Sequence, residues 1–303
     1  MNKQNLKKGI IGLTTALSLA IALPASAQGT TSAAQASRAD ISKTLGFVPG
    51  FFRSMSDAAV PGAWEEMKGL QMNPNTVLPG RTKELIGLAV AAQIPCRYCV
   101  YGHTEFAKLN GASDAEIAEA VAVGGVERHW NAYLFGEQID DARMASDIAR
   151  IVQNARKGAS GAPSIAVVDS KSALRDIEQT LGFVPELLRR VPDPALAGAW
   201  REMKDLKLSP TALPAKTKEL IALAVASQTS SRPCVQAQIE FAKLQGATDR
   251  EMAEAVGMAA ITRNLSTMLN GQLIDEAAFR ADIDRLVAGV KAAQRKAGGH
   301  AAR

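Results

Sequence analysis

The chain has 303 residues, 47% of them apolar and 5% aromatic, so it can bury a large core of small, closely packed side chains and is long enough for about two domains. Its formal charge of +5 balances 35 basic against 30 acidic residues dispersed along the chain, which excludes the basic stripe expected of a nucleic-acid-binding protein. With three cysteines and three histidines, few sets of soft ligands are available to a metal.

In chain order, Lys3, Lys7 and Lys8 precede an apolar run from Gly9 to Leu23, and Ala25-Ser26-Ala27 offers a small-residue cleavage site. Met1 to Ala27 therefore reads as a secretory signal peptide, with a retained membrane anchor as the alternative. Its run of about 15 apolar residues is short against the ~20 needed for a span. No later segment is long and apolar enough to cross a membrane. Removing three lysines takes the formal charge from +5 to +2 (5 − 3). Export implies an oxidising compartment, the periplasm in a Gram-negative source.

Residues 28–39 are rich in Gly, Thr, Ser and Ala, and are expected to be a mobile leader. A first domain, 40–156, follows. Asp40 to Leu45 predicts a short helix stopped by Gly46; Phe47-Val48-Pro49 crosses to a second, Gly50 to Asp57. Trp64, Met67 and Leu70 mark the apolar face of a helix from Pro61 to Met72. A loop through Asn73-Pro74-Asn75 ends near Pro79. Beyond Gly111, Ser113-Asp114-Ala115-Glu116 has the form of a capping box. It opens a helix to about Val123, with a longer one from Val126 to Arg156. Lys157 to Pro163 (KGASGAP) is the best domain boundary, inside a linker of residues 157–172. The fold class is all-α.

The richest chemistry lies between Lys83 and Ala112. Glu84 to Gln93 is an alanine-rich helical run, and Pro95 interrupts it because proline lacks the amide hydrogen a continuing helix needs. Proline suits the first turn of a new helix, which places Cys96 and Cys99 in the opening turn of a helix running to about Asn110. Free N–H groups and the positive end of the helix dipole there favour thiolate over thiol. Cys99 and His103 are four apart and share a helix face, so His103 can take or hold the thiol proton. Glu84, on the preceding helix, can orient His103 if the two helices pack antiparallel.

The chain then repeats itself. Leu181 to Pro185 copies Leu45 to Pro49, and Trp200 to Met203 follows the pattern of Trp64 to Met67. Lys218 to Ala247 matches Lys83 to Ala112 at an offset of 135, with 19 of 30 residues identical. The match extends to Gly271 and Ile274-Asp275. Residues 173–296 are thus a second copy of the first domain, and 297–303 a tail. In that copy Ser231, Pro233, Cys234 and Gln238 stand where the first has Cys96, Tyr98, Cys99 and His103; Glu219 keeps the place of Glu84. A lone cysteine cannot form the internal disulfide that resolves a sulfenic acid, and glutamine cannot take a proton. The second copy is expected to be a structural partner.

Plainer readings stand beside these. Cys96 and Cys99 can form a purely structural disulfide, although so small a loop stabilises little through chain entropy. A zinc site would need four ligands from Cys96, Cys99, Cys234, His103, His129 and His300. Glu84 can be a structural carboxylate, since Glu219 survives without thiol chemistry. His129, beside Trp130, fits a core or interface histidine; Tyr98 and Tyr101 can line a substrate mouth or simply pack.

The spacing Glu84-x11-Cys96-x2-Cys99-x3-His103, followed by Phe106, Ala107 and Gly111 and preceded by Leu45 to Pro49, resembles the core of the alkylhydroperoxidase D / carboxymuconolactone decarboxylase family. The resemblance implies an all-helical fold assembled into trimers or hexamers, so a trimer of this tandem chain would be a pseudo-hexamer. By position it implies a thiol peroxidase in which Cys99 attacks a hydroperoxide, Cys96 resolves, and His103 and Glu84 relay protons. Tyr98 and His129 are secondary site candidates. Tyr98 departs from the histidine often found in the peroxidase branch, which shortens the relay. No cofactor and no metal are implied; the partners are a hydroperoxide and an external thiol or disulfide reductant. Alternatives are a periplasmic thiol–disulfide oxidoreductase, a decarboxylating lyase acting on a lactone acid, and a non-enzymatic scaffold.

Overall fold

A computed structural model of the chain describes residues 27–158, 165–229 and 231–301. The signal-peptide reading falls outside the described residues except for its last position, as do residues 159–164 of the predicted linker and the side chains of the tail. Fourteen α-helices and no strand occur among the described residues. No helix there is long and apolar enough to cross a membrane.

In the first repeat, α1 spans Ala27–Leu45, α2 Gly50–Ser54, α3 Val60–Glu66, α4 Gly80–Gln93, α5 Arg97–Leu109, α6 Asp114–Gly136 and α7 Asp141–Lys157. In the second, α8 spans Ser170–Leu181, α9 Glu186–Arg189, α10 Asp193–Met203, α11 Ala215–Ala226, α12 Arg232–Leu244, α13 Asp249–Gly271 and α14 Glu276–Ala301. A wide π-helical turn extends α3 over Met67–Gln71, and another extends α10 over Lys204–Leu208.

Two expectations need correction. The predicted mobile leader is helical, because α1 begins at Ala27 and is tied down by Arg38, which donates to the carbonyls of Phe52 and Met55 and to Asp57. Its end falls as expected at Gly46, in the left-handed region at φ 83°. The break placed between Val123 and Val126 does not exist; α6 runs through both glycines. A Cβ at Gly124 would sit in van der Waals contact with the Ala89 carbonyl at 3.4 Å and with Val225 at 3.6 Å, so the helix packs closely on α4 and α11 at this point. The chain breaks instead at Glu137–Asp140, where Gln138 takes a positive φ of 50° and Asp140 caps α7 by accepting from the Arg143 amide. The Ser113–Glu116 capping box forms as expected, and Thr248–Glu251 repeats it.

The two copies do not bury separate cores. Leu85, Ile86, Ala89 and Val90 of α4 share one apolar cluster with Leu220, Ile221, Leu223 and Ala224 of α11. The last two helices of each copy cross over to the other: α13 and α14 pack on α4 and α5, while α6 and α7 pack on α11 and α12. The crossings are pinned in matching pairs. The Gly50 amide donates to Asp282 and the Glu186 amide to Asp147; the Leu78 amide donates to Glu254 and the Leu213 amide to Glu119. The repeats are therefore related by an approximate two-fold, and each copy closes the other's site.

Candidate active site

The site grows from the α4–α5 corner. Cys96 is the N-cap of α5 and its Sγ accepts from the Cys99 amide at 3.2 Å. The two sulfurs are joined as a disulfide. Cys96 is wholly buried, whereas Cys99 is 6% exposed and lines a cavity of about 50 Å³. In the second copy Ser231 caps α12 in the same way, its hydroxyl accepting from the Cys234 amide at 3.3 Å. The backbone corner thus survives loss of the paired cysteines.

His103 and Glu84 are brought together as the antiparallel packing requires: Nδ1 lies 2.7 Å from Glu84 Oε2, with both side chains buried. The expected contact between His103 and a sulfur is not made. Its other nitrogen, Nε2, lies 3.2 Å from the Thr262 hydroxyl on α13, so both ring nitrogens are engaged away from the disulfide. Cys99 and His103 instead face the same cavity. Because the Thr262 hydroxyl donates its one hydrogen to the Met258 carbonyl at 2.8 Å, it meets Nε2 as an acceptor, and Nε2 carries a proton.

Three contributors escape the motif. Gln71, on the π turn, donates from Nε2 to both Glu84 oxygens at 3.1 and 3.3 Å. Lys83 steadies that turn by donating to the carbonyls of Leu70 and Asn73 from a buried position. Gly87, one turn after Glu84, lets the imidazole lie against α4; a Cβ there would overlap the ring. A signal for Gly87 was present in the sequence, because the second copy has Ala222 there and Gln238 in place of His103. Thr262 carried none, since it lies 159 residues from its partner.

Tyr98 and Phe279 meet edge to face at 5.4 Å and form part of the cavity wall, with Tyr98 donating to the Ile274 carbonyl. Met67, Phe106, Leu265 and Leu269 complete an apolar lining with no lysine or arginine in it. His129 is not part of this site. It stacks with Trp130 and Tyr133, which pack on the apolar cluster around Trp200.

The corresponding place in the second copy holds a different network. Lys207, the counterpart of Gln71, pairs with Glu219 at 2.7 Å, and Gln238 donates to Glu127 at 2.7 Å. Burial raises the Glu127 carboxyl to about 7, opposed by Lys207. Burial also raises the Cys234 thiol, which accepts from Asn131 at 3.1 Å. Cys234 therefore belongs to the opposite site and is not a fourth ligand for Cys96, Cys99 and His103. Among the described residues no group of three or more His, Cys, Asp or Glu side chains is arranged to hold a metal.

Residues 58–139 and 194–277 each match the carboxymuconolactone decarboxylase family, so the chain belongs to that family, as a tandem of two copies. Over 56 residues it is 41% identical to "Uncharacterized protein 4 in cox locus" of Paracoccus denitrificans, a match that spans 18% of this chain and 50% of that relative. The fold is similar to the crystal structure of a protein provisionally named a gamma-carboxymuconolactone decarboxylase subunit, from Burkholderia xenovorans. That likeness has a TM-score of 0.50 and 18% identity, and covers 86% of this chain and 98% of the other.

Proposed function

We propose that the protein is an exported thiol-dependent hydroperoxidase. The observation that carries this reading is the placement of Cys99 and the buried Glu84–His103 pair around one small cavity. In the reduced protein the Cys99 thiolate, favoured by the opening turn of α5, attacks the terminal oxygen of a hydroperoxide. The O–O bond breaks, Cys99 becomes a sulfenic acid, and the leaving alkoxide takes the Nε2 proton of His103, which gives up its contact with Thr262 to supply it while Nδ1 stays on Glu84. The Cys96 thiol then condenses with the sulfenic acid, releasing water and forming the disulfide. An external dithiol reopens it by exchange and leaves as a disulfide.

Burial of both sulfurs favours small reactants over a folded protein disulfide, which weighs against a general thiol–disulfide oxidoreductase. The names of the family and of its solved relative favour a second reading, a decarboxylating lyase. An anionic lactone acid would find no lysine or arginine in the cavity wall to receive its carboxylate. Peroxide consumption with an added dithiol tests the first reading: wild type is expected to turn over and Cys99→Ser to be inactive. Undiminished turnover in Cys99→Ser removes the mechanism, and decarboxylation retained in that variant supports the lyase.

We further propose a periplasmic location and a trimer of tandem chains with pseudo-hexameric symmetry. A monodisperse monomer by light scattering refutes the trimer.

A further inference from the structure

Gln71 holds a buried acceptor that no group in the protein uses. Its side chain lines the cavity that Cys99 and His103 share, the residue is 8% exposed, and Oε1 has no hydrogen-bond partner. The amide cannot be reversed without cost, because its nitrogen donates to both oxygens of Glu84 and reversal would set oxygen against a carboxylate. Leaving a buried polar atom unpaired is destabilising, so such an atom calls for a partner. The π turn holds it in place, with Met72 bonded back to the Met67 carbonyl and Lys83 bonded to the Leu70 carbonyl. π turns of this kind often occur at functional sites. In the second copy Lys207 stands here with its ammonium satisfied by Glu219, so the open acceptor exists only beside the redox pair.

We propose that Gln71 Oε1 is the substrate-positioning acceptor of this site: it receives the O–H of a hydroperoxide and holds the hydroxyl oxygen against Cys99. This rests on the hydroperoxidase reading and deepens it. Every hydroperoxide presents one O–H donor at the oxygen that the thiolate attacks. Both His103 nitrogens and the Thr262 hydroxyl hydrogen are already engaged, and the rest of the lining is predominantly apolar. Gln71 is then the acceptor left to orient the donor. In the step itself the thiolate forms the S–O bond, the O–O bond breaks, and the hydrogen held by Gln71 stays on oxygen as that of the sulfenic acid. A cavity of about 50 Å³ suits hydrogen peroxide or a hydroperoxide with a very small substituent.

The test measures, by stopped flow, how fast the reduced full-length protein and its Gln71→Met variant react with hydrogen peroxide. Each is also treated with methyl methanethiosulfonate, an electrophile that consumes the same thiolate but has no O–H to donate. Gln71→Met preserves volume and is expected to slow the peroxide reaction about ten- to a hundredfold. Its reaction with the thiosulfonate should stay within about threefold, which also reports an intact site. An equal loss with both reagents would place Gln71 behind the Glu84–His103 pair and overturn the assignment; so would no loss with peroxide. A wild-type protein inert to peroxide but reactive with the thiosulfonate would refute the hydroperoxidase reading itself.

Discussion

His103 of the first repeat and Thr262 of the second meet at 3.2 Å across the internal two-fold, and Thr262 is the counterpart in register of Glu127, which accepts from Gln238 at 2.7 Å. The same crossing contact has thus been made twice with different chemistry. One side positions an imidazole beside a disulfide; the other pairs an amide with a buried carboxyl beside a lone thiol.

Replacing Thr262 by Val keeps the shape but leaves the Nε2 hydrogen of His103 without an acceptor. The expected destabilisation is about 1–3 kcal/mol, or roughly 2–10 °C in the midpoint of thermal unfolding for a chain of this size. Thr262→Ser, which retains the hydroxyl, should lose much less. Calorimetry on the oxidised proteins checks both, and equal midpoints for Val and Ser would show that the contact contributes nothing.

Gly87→Ala forces a methyl group into the space of the imidazole. Overpacking of this kind costs about 1–3 kcal/mol, and the ring must leave Glu84 to relieve it. Loss of at least about tenfold in peroxide turnover is expected, with the unfolding midpoint lowered by a few degrees. The converse change in the second copy, Ala222→Gly, opposite Gln238, should leave turnover unaltered.

Glu127 gives the folded protein a pH dependence of definite sign. Burial raises its carboxyl from 4.5 to about 7, so between these values the folded state binds more protons than the unfolded one. Its neutral form is accommodated fully below about pH 4.5, and stability falls as the pH rises through 7, by a total on the order of 3 kcal/mol from this group. Glu127→Gln keeps an acceptor for Gln238 and carries no charge. Denaturant unfolding at a series of pH values should show the decline flattened in the variant, and identical slopes would rule out Glu127 as its source.

Cys234 should be nearly inert in the native protein, because burial raises its thiol and leaves it 6% exposed. With Cys96 and Cys99 oxidised, an aromatic disulfide reagent should titrate no fast thiol in native protein and one per chain after denaturation. One fast thiol in native protein would mean that the α12 corner opens readily.

Much of this molecule was legible from local rules. Helix periodicity, the capping boxes at Ser113 and Thr248, the glycine stop at Gly46 and the internal repeat each depend on residues close in sequence or on direct comparison of the two copies. The paired Cys96 and Cys99 and the Glu84–His103 contact follow from helical spacing and one tight corner. Less local expectations fared worse. The leader reads as flexible by composition, yet Arg38 anchors it to carbonyls well over ten residues away. A pair of glycines reads as a helix break, but α6 is held by packing on both α4 and α11 and the helix continues through them.

By itself the sequence determined an all-helical tandem whose first copy alone carries a paired-cysteine corner, because backbone propensity and short-range spacing are written residue by residue. Only the tertiary structure decided that the last two helices of each copy pack on the other copy, that Thr262 and not a sulfur receives the His103 Nε2–H, and that Gln71 is left with an open acceptor. Those facts come from burying apolar faces against partners more than a hundred residues distant, and no local pattern encodes which polar groups such burial will bring together.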